Sequence, residues 1–235
     1  MGLNKSIGNM YEFCTHTWNP LRGCLFHCPY CYVKNLVERY GYDNSPRFIE
    51  KELRTRLGRG KIIFVGSTCD MWGKWVPDDQ IRQILNHCLE YPQNQYIFQS
   101  KNPGRFPYFT YSLEPAKNFL FGTTIETDEY PIGFKTNAPP INERWNAMYA
   151  LSIRRRKFLS IEPIMDFNLQ SFVEMIKTID PEFITIGADS KGHNLPEPPI
   201  EKIYALVEKL KGYGIELREK HNLQRLMKKS SREVP

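Results

Sequence analysis

Residues 24–32 read Cys24-Leu25-Phe26-His27-Cys28-Pro29-Tyr30-Cys31-Tyr32, three cysteines within eight positions with a tyrosine on each side of the last. Thiolates are favoured ligands of zinc and of iron–sulfur clusters, and a four-iron cluster held by only three of them leaves one iron able to take an exogenous ligand. A structural zinc site needs a fourth protein ligand. Cys14, His16, His27 and Cys69 are at hand to supply one, but zinc ribbons carry two Cys-x2-Cys pairs and this sequence has one. Six cysteines in 235 residues fall far short of the density of small disulfide-built scaffolds. Plain core thiols are disfavoured locally, because Pro29 and His27 interrupt any apolar face.

Outward from this loop, short apolar runs rich in β-branched and aromatic residues recur. They are Lys61–Val65, Gln95–Phe98, Asn118–Phe121, Lys157–Ile161 and Glu182–Ile186, and each reads as a buried strand. A first strand is expected at Tyr11–Thr15, feeding the cysteine loop, and a seventh at Gly214–Leu217. Between them lie helical stripes, clearest at Ile81, Ile84, Leu85, Cys88 and Leu89 and at Ile200, Ile203, Tyr204, Val207 and Leu210. Cys88 falls on such a stripe and reads as core. Alternation of this kind implies parallel strands joined by right-handed crossovers, since parallel neighbours cannot be linked by a tight turn.

Polar groups follow every strand: the cysteine loop, Gly66-Ser67-Thr68-Cys69-Asp70, Ser100-Lys101, Thr123-Thr124-Ile125-Glu126, Glu162 and Asp189-Ser190. In parallel α/β folds the carboxyl ends of the strands share one face, and in barrels the active site is assembled there. Turn chemistry alone accounts for Ser or Asp at such positions, but a lysine and two glutamates abutting apolar strands favour a shared site. The expected architecture is a partial (βα)6 TIM-type barrel over residues 1–217, followed by a basic helix or tail over 218–235.

Composition is that of a globular chain, with 41% hydrophobic and 25% charged residues. No apolar run approaches a membrane span, and the first residues lack the pattern of a secretory leader, so the expected location is cytoplasmic. A net charge of +6 permits nucleic-acid binding without requiring it. Arg154-Arg155-Arg156-Lys157 precedes a strand and is expected on the barrel face away from the chemistry.

The cysteine stretch resembles the signature of the radical S-adenosylmethionine (SAM) enzymes. With Thr17-Trp18-Asn19-Pro20, Ser100-Lys101-Asn102-Pro103 and Leu159-Ser160-Ile161-Glu162-Pro163, the motif series is similar to that of a phage-type radical SAM family (Gp37/Gp68-like). Ala138-Pro139-Pro140-Ile141-Asn142-Glu143-Arg144 is similar to a stretch in the spore photoproduct lyase and repair photolyase branch. The phage-type family often has a longer loop between its first two cysteines, where this chain has the standard three-residue spacing.

The resemblance implies that Cys24, Cys28 and Cys31 each ligate one iron of a 4Fe–4S cluster whose fourth iron is chelated by SAM. By the same comparison Tyr30 lies against the adenine, Ser67 contacts the methionyl amino group, and Ser100 with Lys101 contacts the carboxylate. Thr124 and Glu126 hold the ribose hydroxyls, and Glu162 contacts SAM or substrate or makes an internal salt bridge. The chemistry suits these parts, since an ammonium matches a carboxylate and a carboxylate matches a pair of hydroxyls. The implied reaction is reductive cleavage of SAM to a 5′-deoxyadenosyl radical that abstracts hydrogen from substrate. A DNA or RNA substrate and an electron donor such as flavodoxin or ferredoxin are implied partners.

Arg105-Phe106-Pro107-Tyr108-Phe109-Thr110-Tyr111 has the composition of a base-stacking loop and equally that of a core closure. Cys69 and Cys14 are candidates for a hydrogen-atom donor or for pocket lining; no base beside Cys69 favours the former. A zinc-bearing nucleic-acid module and a non-catalytic iron–sulfur redox sensor are the competing readings.

Overall fold

The computed structural model describes residues 2–6, 11–110, 117–151 and 155–226. Strand β1 (Asn4–Lys5) runs antiparallel beside β2 (His16–Trp18), and β3 (Leu21–Arg22) pairs with β4 (Arg47–Phe48) in a small separate ladder. The main sheet continues through β5 (Ile62–Val65), β6 (Gln95–Gln99), β7 (Phe119–Thr124), β8 (Arg156–Ile161), β9 (Phe183–Ile186) and β10 (Glu216–Glu219), all parallel and in chain order from β2. β1 and β10 are its two edges, so the sheet is an open partial barrel rather than a closed one. Helix α1 (Tyr32–Tyr40) follows the cysteine loop, and α2 (Asp78–Leu89), α3 (Phe106–Thr110), α4 (Ile141–Ala150), α5 (Leu169–Ile179) and α6 (Ile200–Gly212) connect successive strands.

Strand alternation sorts side chains between two faces. Ile63, Val65, Phe98, Phe121, Leu159, Ile161, Ile184 and Ile186 point to the helix-covered side, where they meet Ile81, Ile84, Leu85 and Cys88 of α2, Phe172 and Ile176 of α5, and Ile203 and Leu210 of α6. Most of the two helical stripes read from sequence is therefore buried; Leu89, at the last turn of α2, and Tyr204 of α6 are instead exposed. Phe64, Ile97, Leu120, Phe158 and Phe183 form a second cluster on the concave side. Gly122 is required beneath this cluster, because a Cβ there would stand 2.1 Å from Phe158 Cε1.

The five central strands lie where the apolar runs place them, and the last begins at Glu216. The first parallel strand differs from expectation: it is His16–Trp18, and Tyr11–Cys14 instead turns into the concave cluster. Tyr11 stacks on Phe13 at 5.0 Å and meets Phe64 and Phe158 edge-on, each at 5.8 Å. A strand at Tyr11–Thr15 would leave this apolar floor uncovered, and burying two aromatic rings on it is the stronger term.

The segment from Arg105 to Thr110 is a core closure. Phe106 and Phe109 are buried against Trp72, Arg105 donates to the Gly73 and Val76 carbonyls, and only Tyr108 projects, at 73% exposure. Tyr111 and Arg154 lie outside the described residues. Arg156 pairs with Glu182 at 2.9 Å at the start of its strand, on the face away from the cysteines. Arg218 and Glu219 belong to β10, Leu223 and Leu226 pack in the core, and residues 227–235 lie outside the described residues. Among the described residues, no helix is long and apolar enough to cross a membrane.

Candidate active site

Gly23, in the left-handed region at φ 78°, starts the cysteine loop, and a Cβ there would meet the Ser45 carbonyl at 2.4 Å. His27 takes φ 52°, and the backbone N–H of Cys31 donates to Cys28 O at 3.1 Å as the loop passes into α1. Folded this way, Cys24, Cys28 and Cys31 share one cluster with Phe26, Tyr30, Trp75 and Ala138. The connection after β7 crosses it as a strap: Asn137 N donates to Phe26 O at 2.8 Å, and Thr136 Oγ1 lies 3.7 Å from Cys28 Sγ. Burial pushes the Cys28 thiol up, while Lys101 pulls it down. Among the described residues, no three or more His, Cys, Asp or Glu side chains converge as a site for a metal ion.

Lys101 reaches this loop from the end of β6. Its ammonium donates to Glu126 Oε1 and to the Tyr30 hydroxyl, both at 2.5 Å, and lies 5.0 Å from the Tyr30 ring centroid. Tyr30 OH also donates to Glu126 Oε1. The second carboxylate oxygen accepts from Arg144 Nη1 and from Tyr130 OH, each at 3.0 Å. Burial alone would raise the Glu126 carboxyl; Lys101 and Arg144 outweigh it and bring it down to about 2. Tyr30, Lys101 and Glu126, chosen from separate stretches of sequence, thus meet in one hydrogen-bonded group beside Cys28.

Ser100 serves the backbone. Its hydroxyl donates to Asp70 Oδ1 at 2.7 Å and accepts from Asn102 N at 2.7 Å, while Asp70 Oδ2 accepts from Lys101 N at 2.8 Å. Thr124 Oγ1 accepts from Gln99 Nε2 at 2.9 Å. Ser67 lies on the loop after β5, where its hydroxyl donates to Asn19 Oδ1 at 3.0 Å and its carbonyl accepts from Tyr32 OH at 2.5 Å. Cys69, on the same loop, is bridged through its backbone to Gly23, and burial followed by the Asp70 charge pushes its thiol well up. Glu162 stands apart from the Lys101 group, paired with Lys220 Nζ at 2.6 Å and Asn222 Nδ2 at 2.9 Å. Cys14 lies in the concave floor, its thiol pushed up to about 12 by burial against the pull of Lys220.

All of these groups sit at the carboxyl ends of the parallel strands except Cys14. Sequence reading placed Asp70 at the shared strand-end face without giving it a role, and missed Tyr130, Thr136 and Arg144 as members. Arg144 lies within a quoted motif, yet a single arginine in a helical stretch reads as a surface charge; only its placement under β7 reveals its complete burial.

Solved structures with this fold include spore photoproduct lyase complexed with dinucleoside spore photoproduct, at a TM-score of 0.63 and 11% identity over 92% of this chain and 79% of that one. A variant of the same enzyme with bound AdoMet and dinucleoside spore photoproduct gives 0.61 at 12% identity, over 94% and 81%. At such identities the likeness is one of fold. No curated protein sequence matches the chain. The model of a family described as "Protein of unknown function (DUF5131)" matches residues 9–196, and the chain belongs to that family.

Proposed function

We propose that this protein is a radical SAM enzyme, with Cys24, Cys28 and Cys31 holding a 4Fe–4S cluster and SAM bound between the cysteine loop and Lys101. The observation that carries the reading is the meeting of three thiols with the Lys101–Tyr30–Glu126 group at one end of a parallel sheet. The donor set fits the group. Three soft thiols gathered on one loop are ligands of the kind an iron–sulfur cluster takes, and three rather than four of them would leave one iron for SAM. When bound, the cluster and SAM supply an electron and a 5′-deoxyadenosyl radical that removes hydrogen from a substrate carbon.

The chain's own residues bind, orient and exclude water. Lys101 offers its ammonium to the SAM carboxylate, and the Tyr30 ring beside it supports the adenine. Ser67 would contact the methionyl amino group and Thr124 the ribose hydroxyls. Ser100 and Glu126 act through Lys101, since Ser100 is spent on Asp70 and Glu126 is fully enclosed with four protein donors. Glu162, paired with Lys220, would contact SAM or substrate. Phe26 and Trp75, edge-on at 4.8 Å, pack beside the cysteines, of which Cys28 is buried. Cys69 lines the pocket and is the candidate hydrogen donor.

A nucleic-acid substrate, DNA or RNA, is supported by the fold shared with an enzyme solved in complex with a dinucleoside photoproduct and by the net charge of +6. The electron would come from a flavodoxin- or ferredoxin-type donor, and the phage-type motif series agrees with the reading. Anaerobic reconstitution with iron and sulfide, followed by dithionite and SAM, tests it: a brown protein forming 5′-deoxyadenosine is expected. A colourless zinc protein sinks the proposal, and a reconstituted cluster that never cleaves SAM leaves a sensor in its place.

A further inference from the structure

Glu126 is a hub between two cations that take different oxygens, Lys101 on Oε1 and Arg144 on Oε2. The carboxylate and Arg144 are fully enclosed, whereas the Lys101 side chain keeps 13% exposure. An ammonium has three N–H donors, and among the described residues that of Lys101 finds two acceptors, Glu126 and the Tyr30 hydroxyl. Among the described residues, one donor of this partly exposed side chain is thus left without a protein acceptor, next to the three-cysteine loop.

Charge counting gives this geometry a meaning. Lys101 and Glu126 alone would form a neutral pair with nothing left for an anion. Lys101, Glu126 and Arg144 together carry one net positive charge, the nearby Asp70 carboxylate being taken up by the Ser100 hydroxyl and by the Lys101 and Trp72 backbone N–H groups, and the surplus appears at Lys101, the less enclosed of the two cations. Arg144 is held for this task by Pro139 O at 2.7 Å, Thr124 O at 3.0 Å and Tyr130 OH at 2.5 Å, so it cannot follow a ligand itself. Paired charges in a low-dielectric site are screened little by water, which makes the neutralisation of Glu126 from behind effective at Lys101.

We propose that Arg144 is a positioning residue that neutralises Glu126 from the rear and so frees the charge of Lys101 for a carboxylate, the group SAM would present. The inference rests on the proposed radical SAM reading and names a residue that acts without touching the ligand.

The test compares SAM with decarboxylated SAM by calorimetry on the full chain, reconstituted anaerobically, with circular dichroism to confirm folding. Arg144→Gln is expected to weaken SAM by about ten- to a hundredfold while changing decarboxylated SAM by less than about threefold. In the Glu126→Gln/Arg144→Gln double variant the buried carboxylate is gone as well, Lys101 is again uncompensated, and SAM affinity is expected to return to within about fivefold of wild type. Equal weakening of both ligands by Arg144→Gln, or a double variant no better than the single one, would show a merely structural arginine and overturn the proposal while leaving the enzyme reading intact. Should Arg144→Gln fail to fold, the double variant decides alone: poor discrimination between the two ligands refutes the idea. A wild-type protein that binds neither ligand overturns the enzyme reading, and the proposal with it.

Discussion

The Asp70 carboxylate ties the loop after β5 to the loop after β6: one oxygen accepts the Ser100 hydroxyl at 2.7 Å, the other the Lys101 backbone N–H at 2.8 Å. The first oxygen also takes Trp72 N at 3.1 Å, so three donors depend on one buried side chain. Asp70→Ala is expected to cost about 3 kcal/mol, and Ser100→Ala about 1 kcal/mol, because buried donors left without acceptors are expensive. Urea titration measures both. An Asp70→Ala protein as stable as wild type would remove the brace.

Cys28 is the most enclosed of the three loop cysteines, lying under the strap through Thr136. Cys28→Ala is expected to bring iron content close to zero after reconstitution with the far-ultraviolet circular dichroism little changed, since the main core lies on the other face of the sheet. Cys88→Ala, in that core, should keep the iron and lose stability by roughly 1–2 kcal/mol. Full iron retention in Cys28→Ala would refute its assignment as a ligand.

Glu126 links stability to acid. Its carboxyl is held at about 2 by Lys101 and Arg144, with Tyr30 and Tyr130 completing its surroundings, against an ordinary value of 4.5. A folded-state value below the unfolded one contributes stability that is complete above about 4.5 and is lost as the pH falls toward about 2. Wild type should therefore weaken across that window more steeply than Glu126→Gln, which cannot take up this proton. Identical acid slopes in denaturant titrations between pH 5 and pH 2 would contradict the assignment.

Phe106 and Tyr108 separate the two readings of the aromatic segment near α3. Phe106→Ala should destabilise by about 3–5 kcal/mol, as a ring packed against Trp72 at 4.8 Å is removed. Tyr108→Ala, at an exposed position, should fall within about 0.5 kcal/mol of wild type. Thermal denaturation suffices, and a neutral Phe106→Ala would reopen the base-stacking interpretation.

Much of this molecule is legible in its sequence. Ile63–Val65 and Phe183–Ile186 are buried on both faces, as strands of a helix-covered parallel sheet are, and so read as near-continuous apolar runs whose alternation with helical stripes gave the fold class. The cysteine loop and Lys101 declared themselves by chemistry. What stayed hidden depends on distance through space: Arg144 and Glu126 are eighteen residues apart and meet only because α4 folds back beneath β7. Tyr11 and Phe13 carry the composition of a strand, and their role as a floor is fixed by the aromatic rings waiting on β5, β8 and β9.

That floor has a consequence for traffic. With Tyr11 and Phe13 seated on Phe158 and Phe183, and Arg218 laid over Phe183 at 3.6 Å, packed rings fill the concave floor. On the proposed reading, a substrate unit would reach the cysteines from the carboxyl ends of the strands rather than through this floor.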